Sequence, residues 1–454
     1  MEKVLNNNNK KQVEILFVII SIVFGLLFIF SKIAADDLAC YTSMGKTLSQ
    51  NWGWTVQQYN TWSSRMIINF IWAVVTTHGK LSWMIYMMIS MYILLKGLYL
   101  ISFEEYNLHN GLFVCAIAML FPMINLCSAG WIATTTSYFG PMACGVMAIV
   151  PFKKFLNGNK LPLKSFILYI FALIYAANAE QMCVALLFTY FVMSFLLLKG
   201  KKFNWQALVM LIITIASFVF MMTCPGNWSR KTLETMNWFP TFGMLDTIDK
   251  LDIGVSTTLK WMFASGNIFI IAICFLIALF VFKRYNDILY RMIAIFPFML
   301  TLILGPFLHI TSNLFPHIAL LSSEINYYGA FNVASSGVGI GMIQFGTFLL
   351  VCLFIVISIF LLNEDVSELV FDLTIIAAGF GSRLMMCFSP TVYASSNRTY
   401  NTLVVCLFII GTQIYSKNCR FLSKDNKNMF MYAEIMIILI GLIKLYRLTS
   451  SYFY

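Results

Sequence analysis

The chain has 454 residues, 60% of them hydrophobic and only 11% charged, with mean hydropathy +0.81. Soluble domains carry about a quarter charged residues, so a soluble globular class is excluded. Repeated continuous apolar runs of about 20 residues predict a polytopic all-α membrane protein, whereas a β-barrel would alternate. The net charge of +11 contains no basic run long enough to follow a nucleic-acid backbone, so nucleic acid is not an expected partner.

The first apolar run, Val13 to Phe30, follows Lys3, Lys10 and Lys11 and shows no small-residue cleavage pattern. It reads as a retained first span, about residues 13–33. The next stretch, Ala34 to Arg65, is polar, and it opens on Asp36 and Asp37 and carries Trp52, Trp54, Trp62 and Arg65. Ser63 to Thr77 is apolar but too short to span comfortably. If it crossed, the basic loop Lys153, Lys154, Lys160, Lys164 would lie outside. The positive-inside rule therefore predicts a flat interfacial helix there.

Further spans are expected near 81–101, 111–128, 133–151, 165–178, 182–199, 204–222, 259–282, 288–310, 338–362, 369–388, 399–416 and 429–448. That makes about 13 transmembrane helices in a single polytopic domain, 1–454, with the carboxyl terminus outside and no soluble domain. The first outer loop is about 34–80 and the second large one about 223–258. Inside loops carry Lys153/Lys154, Lys199/Lys201/Lys202, Lys283/Arg284 and Lys417/Arg420/Lys424/Lys427. The loop Asn363-Glu364-Asp365…Glu368 departs from this pattern by being acidic. Smaller outer intervals are Asn178–Gln181, Thr311–Ser336 and Pro390–Arg398. The eleven cysteines form no CxxC pair and no Cys/His cluster. Cys40, Cys224 and Cys387 fall near outer ends; free thiols are the favoured reading, pairing the alternative. The four His are isolated, which disfavours a zinc site.

Several residues on the outer side carry candidate chemistry. Asp36 and Asp37 suit a general base with a substrate anchor, or a divalent cation such as Mg or Mn, against the plainer reading of a solvated helix end. Arg65, at the start of the flat helix, suits bidentate binding of a carboxylate or phosphate, against a snorkelling arginine. In the tight turn Asn178-Ala179-Glu180-Gln181, an acid between apolar runs is costly unless it is paired or faces a polar cavity. A sugar hydroxyl, a cation or Arg65 are its candidate partners. In Cys224-Pro225-Gly226-Asn227-Trp228-Ser229-Arg230 the Pro-Gly pair stops a helix, and Arg230 with Lys231 suits an anion. Arg383 sits inside an apolar run, and Arg398 opens the next. With Arg230 and Lys231 they predict an outer cluster for a phosphate or pyrophosphate. Trp52, Trp54 and Trp62 are either an interface belt or stacking platforms for sugar rings. Asp372 and Glu434 lie in spans on the inner half, as ion-pair partners or a proton path.

The order of these motifs resembles the GT-C class of membrane glycosyltransferases, and more closely the bacterial members that glucosylate O-antigen, teichoic acid or related surface polymers. The resemblance rests on Asp36-Asp37, Trp62-Ser63-Ser64-Arg65, Asn178-Ala179-Glu180, Pro225-Gly226-Asn227-Trp228-Ser229-Arg230, and Ser389-Pro390 with Arg398-Thr399. It implies a polyprenyl-phosphate sugar donor, a cell-surface glycan or lipid-linked acceptor, and an active site on the outer face of the bacterial cytoplasmic membrane. It also implies inverting transfer with Asp36 or Asp37 as base. Arg230, Arg383 and Arg398 would hold the lipid phosphate. Arg65, Glu180, Asn178 and Trp62 would position the acceptor or each other. Membrane lipids and proteins that make or flip the donor are the implied partners. Many relatives carry a carboxyl-terminal soluble domain, whereas this chain ends at Tyr454 soon after its last span. The rival readings are a transporter or flippase of lipid-linked saccharides, and a polysaccharide polymerase or ligase. A transporter would show internal repeats and matched Gly/Pro-broken helices, and neither is apparent in the sequence.

Overall fold

In lipid, backbone N–H and C=O groups must be satisfied within their own segment, so long apolar runs fold as helices. The computed structural model describes residues 2–200, 204–331 and 338–451, apart from the side chains of 2–6 and 338. Lys201, Lys202 and the 332–336 part of the Thr311–Ser336 interval lie outside the described residues. Among those described there are helices and no strand, and nine helices are long and apolar enough to cross a membrane. The count becomes eleven if each of two bent helix pairs is one span. The chain is thus an all-α protein of the multi-pass membrane type.

The two bent pairs are Thr247–Ala264 with Ile268–Arg284, turned by 74°, and Ile288–Leu304 with Leu308–Leu314, turned by 88°. Gly266 makes the first break at φ +65, which an L side chain rarely adopts. Gly305 makes the second. The breaks touch, since a Cβ on Gly305 would lie 2.8 Å from the Gly266 Cα. This pair of adjacent broken helices was not anticipated from the sequence. Two of the expected spans, 111–128 and 165–178, fall on the helices Leu108–Met119 and Leu163–Ala176, of 12 and 14 residues. At 1.5 Å per residue these are about 18 and 21 Å long, short of a bilayer core of about 30 Å. The helix Met66–Thr77 has 12 residues and is equally short.

One end of the bundle gathers opposite charges. Lys153, at the end of Gly140–Leu156, pairs with Glu368. Lys417, at the end of Asn401–Asn418, pairs with Glu368 at 3.1 Å and with the buried Asp372 at 2.8 Å. Asn363 bonds both Lys417 and Asp372. Arg284 and Arg420 share Glu364. The acidic loop that broke the charge pattern is therefore the counter-charge of the basic helix ends around it. Asp372 is one of these partners. The opposite ends of the same helices carry the candidate site. None of the eleven cysteines, all of them described residues, is in a disulfide.

Candidate functional site

The two adjacent acids have opposite environments. Ala35 adopts φ +51, unusual for a residue with a side chain, and this turns the Asp36 amide onto the Ala129 carbonyl at 3.1 Å. The Asp37 carboxylate then accepts from the Ile132 and Ala133 amides at 2.8 and 2.7 Å, at the start of the helix that opens at Trp131. Free amides at a helix start favour negative charge there. Gly130, at φ +106, makes room, because a Cβ at that position would lie 2.8 Å from the Asp37 Cγ. Asp37 is fully buried. Burial pushes its carboxyl up to about 6, against the pull of the Ala133 and Ile132 amides. It faces the fold and does not line the cavity.

Asp36 is exposed and lines a cavity of about 1060 Å³. Burial raises its carboxyl above the ordinary value of 3.8, and the Arg398 charge opposes that rise. Trp62, Arg65, Glu180, Arg230 and Arg398 line the same cavity. The Arg65 Nε donates to the Glu180 Oε2 at 2.6 Å, with both side chains mostly buried. The Arg65 guanidinium also lies 5.5 Å from the Tyr138 ring centroid. The Glu180 Oε1 is buried with no hydrogen-bond partner among the described residues.

The turn that carries Glu180 is tied on both flanks. The Asn178 Oδ1 accepts from the Ile68 amide at 3.0 Å, which docks the helix Met66–Thr77. The Gln181 Nε2 donates to the Ser382 and Thr399 carbonyls at 3.1 and 2.8 Å. Asn178 is therefore a brace outside the cavity, and the turn links Arg65 to the segments bearing Arg383 and Arg398.

Arg230 stands on the helix Pro225–Trp238, which Pro225 opens at its first position. Gly226 lets this helix press on the first outer loop: a Cβ there would lie 2.4 Å from the Trp62 nitrogen and 2.6 Å from the Tyr59 carbonyl oxygen. The Arg230 guanidinium lies 5.9 Å from the Trp62 ring centroid. One turn on, Glu234 also lines the cavity. Burial pushes its carboxyl up, while Arg230 and Arg398 draw it down. The Arg398 Nη1 donates weakly to the Ser128 Oγ at 3.5 Å, and its Nε is buried without a partner among the described residues.

Arg383 is the expected member of the arginine cluster that stands apart from it. It is 2% exposed and does not line the cavity. Its Nη2 donates to the Tyr400 hydroxyl at 3.2 Å, and it lies 4.5 Å from that ring's centroid. Tyr400 in turn stacks on Trp261 at 3.9 Å. Arg383 is thus packed against Tyr400, and neither residue lines the cavity.

The cavity holds three guanidinium groups, of Arg65, Arg230 and Arg398, and three carboxyl groups, of Asp36, Glu180 and Glu234. A divalent ion at Asp36 and Asp37 would find one free carboxylate, since both Asp37 oxygens are taken by backbone amides. No group of three or more His, Cys, Asp or Glu suited to a metal occurs among the described residues. The residues present do not fit a metal.

Tyr138, Glu234 and Ser128 are site residues that the sequence reading missed. Tyr138 reaches the cavity from a π-helical turn, Thr135–Phe139. The sequence carries no sign of that widened turn. Glu234 was legible, being four residues beyond Arg230 and hence on the same helical face. No family model matches the chain, and neither a curated protein nor a solved structure matches it.

Proposed function

We propose that the protein is a membrane glycosyltransferase of the GT-C-like type. It moves a sugar from a polyprenyl-phosphate donor to a cell-surface glycan or lipid-linked acceptor. The observation that supports this reading best is the shared cavity, in which the open carboxylate of Asp36 meets Arg65, Arg230 and Arg398. Asp36 takes the proton of the acceptor hydroxyl as its oxygen bonds to the anomeric carbon. The bond from that carbon to the donor phosphate oxygen breaks in the same displacement, inverting the configuration. Arg230 and Arg398 offset the charge on the departing lipid phosphate. Trp62 offers a face to the sugar, and the Arg65–Glu180 pair positions the acceptor.

The topology that goes with this reading has thirteen crossings: nine long helices, two bent pairs, and the short helices Leu108–Met119 and Leu163–Ala176. The helix Met66–Thr77 lies flat in the outer interface, and the cavity opens on the outer face of a bacterial cytoplasmic membrane. Cys40 lines the cavity, and Cys419 lies at the ion-paired end; both are partly accessible. A membrane-impermeant maleimide added to intact cells is expected to modify Cys40 and to reach Cys419 only after lysis. Alkaline conditions are needed, because burial, Asp36 and Asp37 push the Cys40 thiol up to about 11. Labelling of Cys419 alone in intact cells overturns the outer placement.

The two broken helices favour a transporter as the rival reading. Among the described residues, however, none between positions 239 and 384, where both breaks lie, lines the Asp36 cavity. Mass spectrometry of surface glycans and polyprenyl-phosphate sugars, with and without the gene, tests the transfer reading, and an Asp36→Asn variant that still restores the glycan favours transport. Transfer predicts accumulated donor and a glycan lacking one side-chain sugar. An unchanged glycan in the deletion strain defeats it.

A further inference from the structure

The helix Pro225–Trp238 has two faces of opposite character. Arg230, Glu234 and Asn237 recur at spacings of four and three, on one side of a helix of 3.6 residues per turn, and all three line the cavity. Away from that side Trp228 and Met236 are exposed, Met236 by 68%, with Leu233 exposed on the flank between Met236 and Asn237 and the exposed Ser229 and Thr232 on either side of Met236. The segment that follows keeps the same character, with Met244 85% and Ile248 76% exposed. Exposed apolar residues scattered singly need no explanation, but a contiguous patch does.

The membrane-facing belt of the protein supplies the occupant. The helix begins three residues after Met222, the last residue of the span Trp205–Met222. Ile212, Ile215, Val219 and Met222 are exposed along that span, as lipid-facing residues are. The apolar face of Pro225–Trp238 continues this strip without a polar interval wide enough to carry the chain clear of the bilayer. Lys231, 5.9 Å from the Trp228 ring centroid, adds an interfacial cation beside an interfacial indole. Helices with an apolar face and a charged face lie in the plane of the headgroup region.

We propose that Pro225–Trp238 lies half-submerged in the headgroup layer of one leaflet, with Trp228, Leu233 and Met236 in lipid and Arg230, Glu234 and Asn237 forming the cavity wall. The wall of the cavity is then also the border of the leaflet. Its ligand is an amphiphile whose polar head passes this helix while its tail stays in the bilayer. The access route rests on the cavity being the site proposed above; the immersion of the helix does not.

The test is a nitroxide at Met236→Cys, in the full chain with Cys40, Cys352 and Cys419 replaced by Ser. The protein is reconstituted in nanodiscs of phosphatidylethanolamine and phosphatidylglycerol. Collision rates with oxygen and with a water-soluble nickel chelate are compared with those of Ile215→Cys, on the lipid face of the span, and Asp425→Cys, at the ion-paired end. Immersion predicts that Met236 favours oxygen as Ile215 does. A preference for the nickel chelate matching Asp425 overturns it. Leu233→Cys serves if the Met236 variant is not monodisperse. An aqueous Met236 in a protein that still alters surface glycan removes this inference and leaves sugar transfer standing. A lipid-immersed Met236 with unchanged glycan does the reverse.

Discussion

Asp36→Asn is expected to lower sugar transfer by about 10²- to 10⁴-fold, the usual range for loss of a positioned general base, with thermal stability unchanged. The carboxylate is exposed to the cavity, and the fold around it rests on the Asp36 amide and on Asp37. Asp37→Asn is expected to behave in the opposite way. An amide side chain offers one acceptor oxygen where two backbone donors, of Ile132 and Ala133, converge on two carboxylate oxygens. One buried N–H then loses its partner, at about 1–3 kcal/mol, and the melting temperature falls. Transfer per folded molecule is largely kept. Equal activity losses at unequal stability, or an inactive but fully stable Asp37→Asn, would remove Asp36 from the role of base. The pH profile supplies an independent check. Asp36 must be ionised to act, and its carboxyl stands above the ordinary 3.8 because of burial, with Arg398 opposing. Activity should therefore fall on the acid side, along a limb lying above 3.8. Arg398 favours the charged form, so Arg398→Ala should move that limb to still higher pH. A limb that stays in place or shifts down in Arg398→Ala contradicts the pairing.

The difference between the two acids shows where sequence reasoning reached its end. Composition and run length were enough for the all-α membrane class, because a lipid environment leaves the backbone few choices. The Asp36-Asp37 pair was visible as two acids at a membrane exit. Their different environments depend on the loop at Gly130, 93 residues beyond Asp37, whose positive φ and lack of a Cβ make room for the Asp37 carboxylate. Glu180 and Arg65 were legible as costly charges, with each other among the candidate partners, and they do pair. Arg383 was legible for the same reason; it lies over the Tyr400 ring, a contact that spacing could not disclose, and its Nε and Nη1 have no hydrogen-bond partner among the described residues. Tyr138 needed the π turn. The bend at Gly305 was legible in the Gly305-Pro306 pair, whereas the contact between the two bends, at Gly266 and Gly305, needed three-dimensional packing.

Removing one partner of the Arg65–Glu180 pair should produce the largest loss of stability of any single change at the site. Both side chains are mostly buried, 20% and 15% exposed. Breaking a buried pair from one side leaves the other charge uncompensated, at about 3–5 kcal/mol. Glu180→Ala strands the Arg65 guanidinium against Tyr138 and leaves the cavity with three cations and two acids. Arg65→Ala strands Glu180, whose Oε1 already lacks a partner among the described residues. Either variant should also loosen the site at a distance. The turn that carries Glu180 holds Ile68 through Asn178, and the Ser382 and Thr399 carbonyls through Gln181. The double variant Arg65→Met/Glu180→Met removes both charges and fills similar volume, so its melting temperature should exceed that of either single alanine variant. Transfer should nonetheless stay low in it if the pair orients the acceptor as proposed. A double variant no more stable than the worse single one would mean that the two charges are not coupled, and that each is held by something other than its partner.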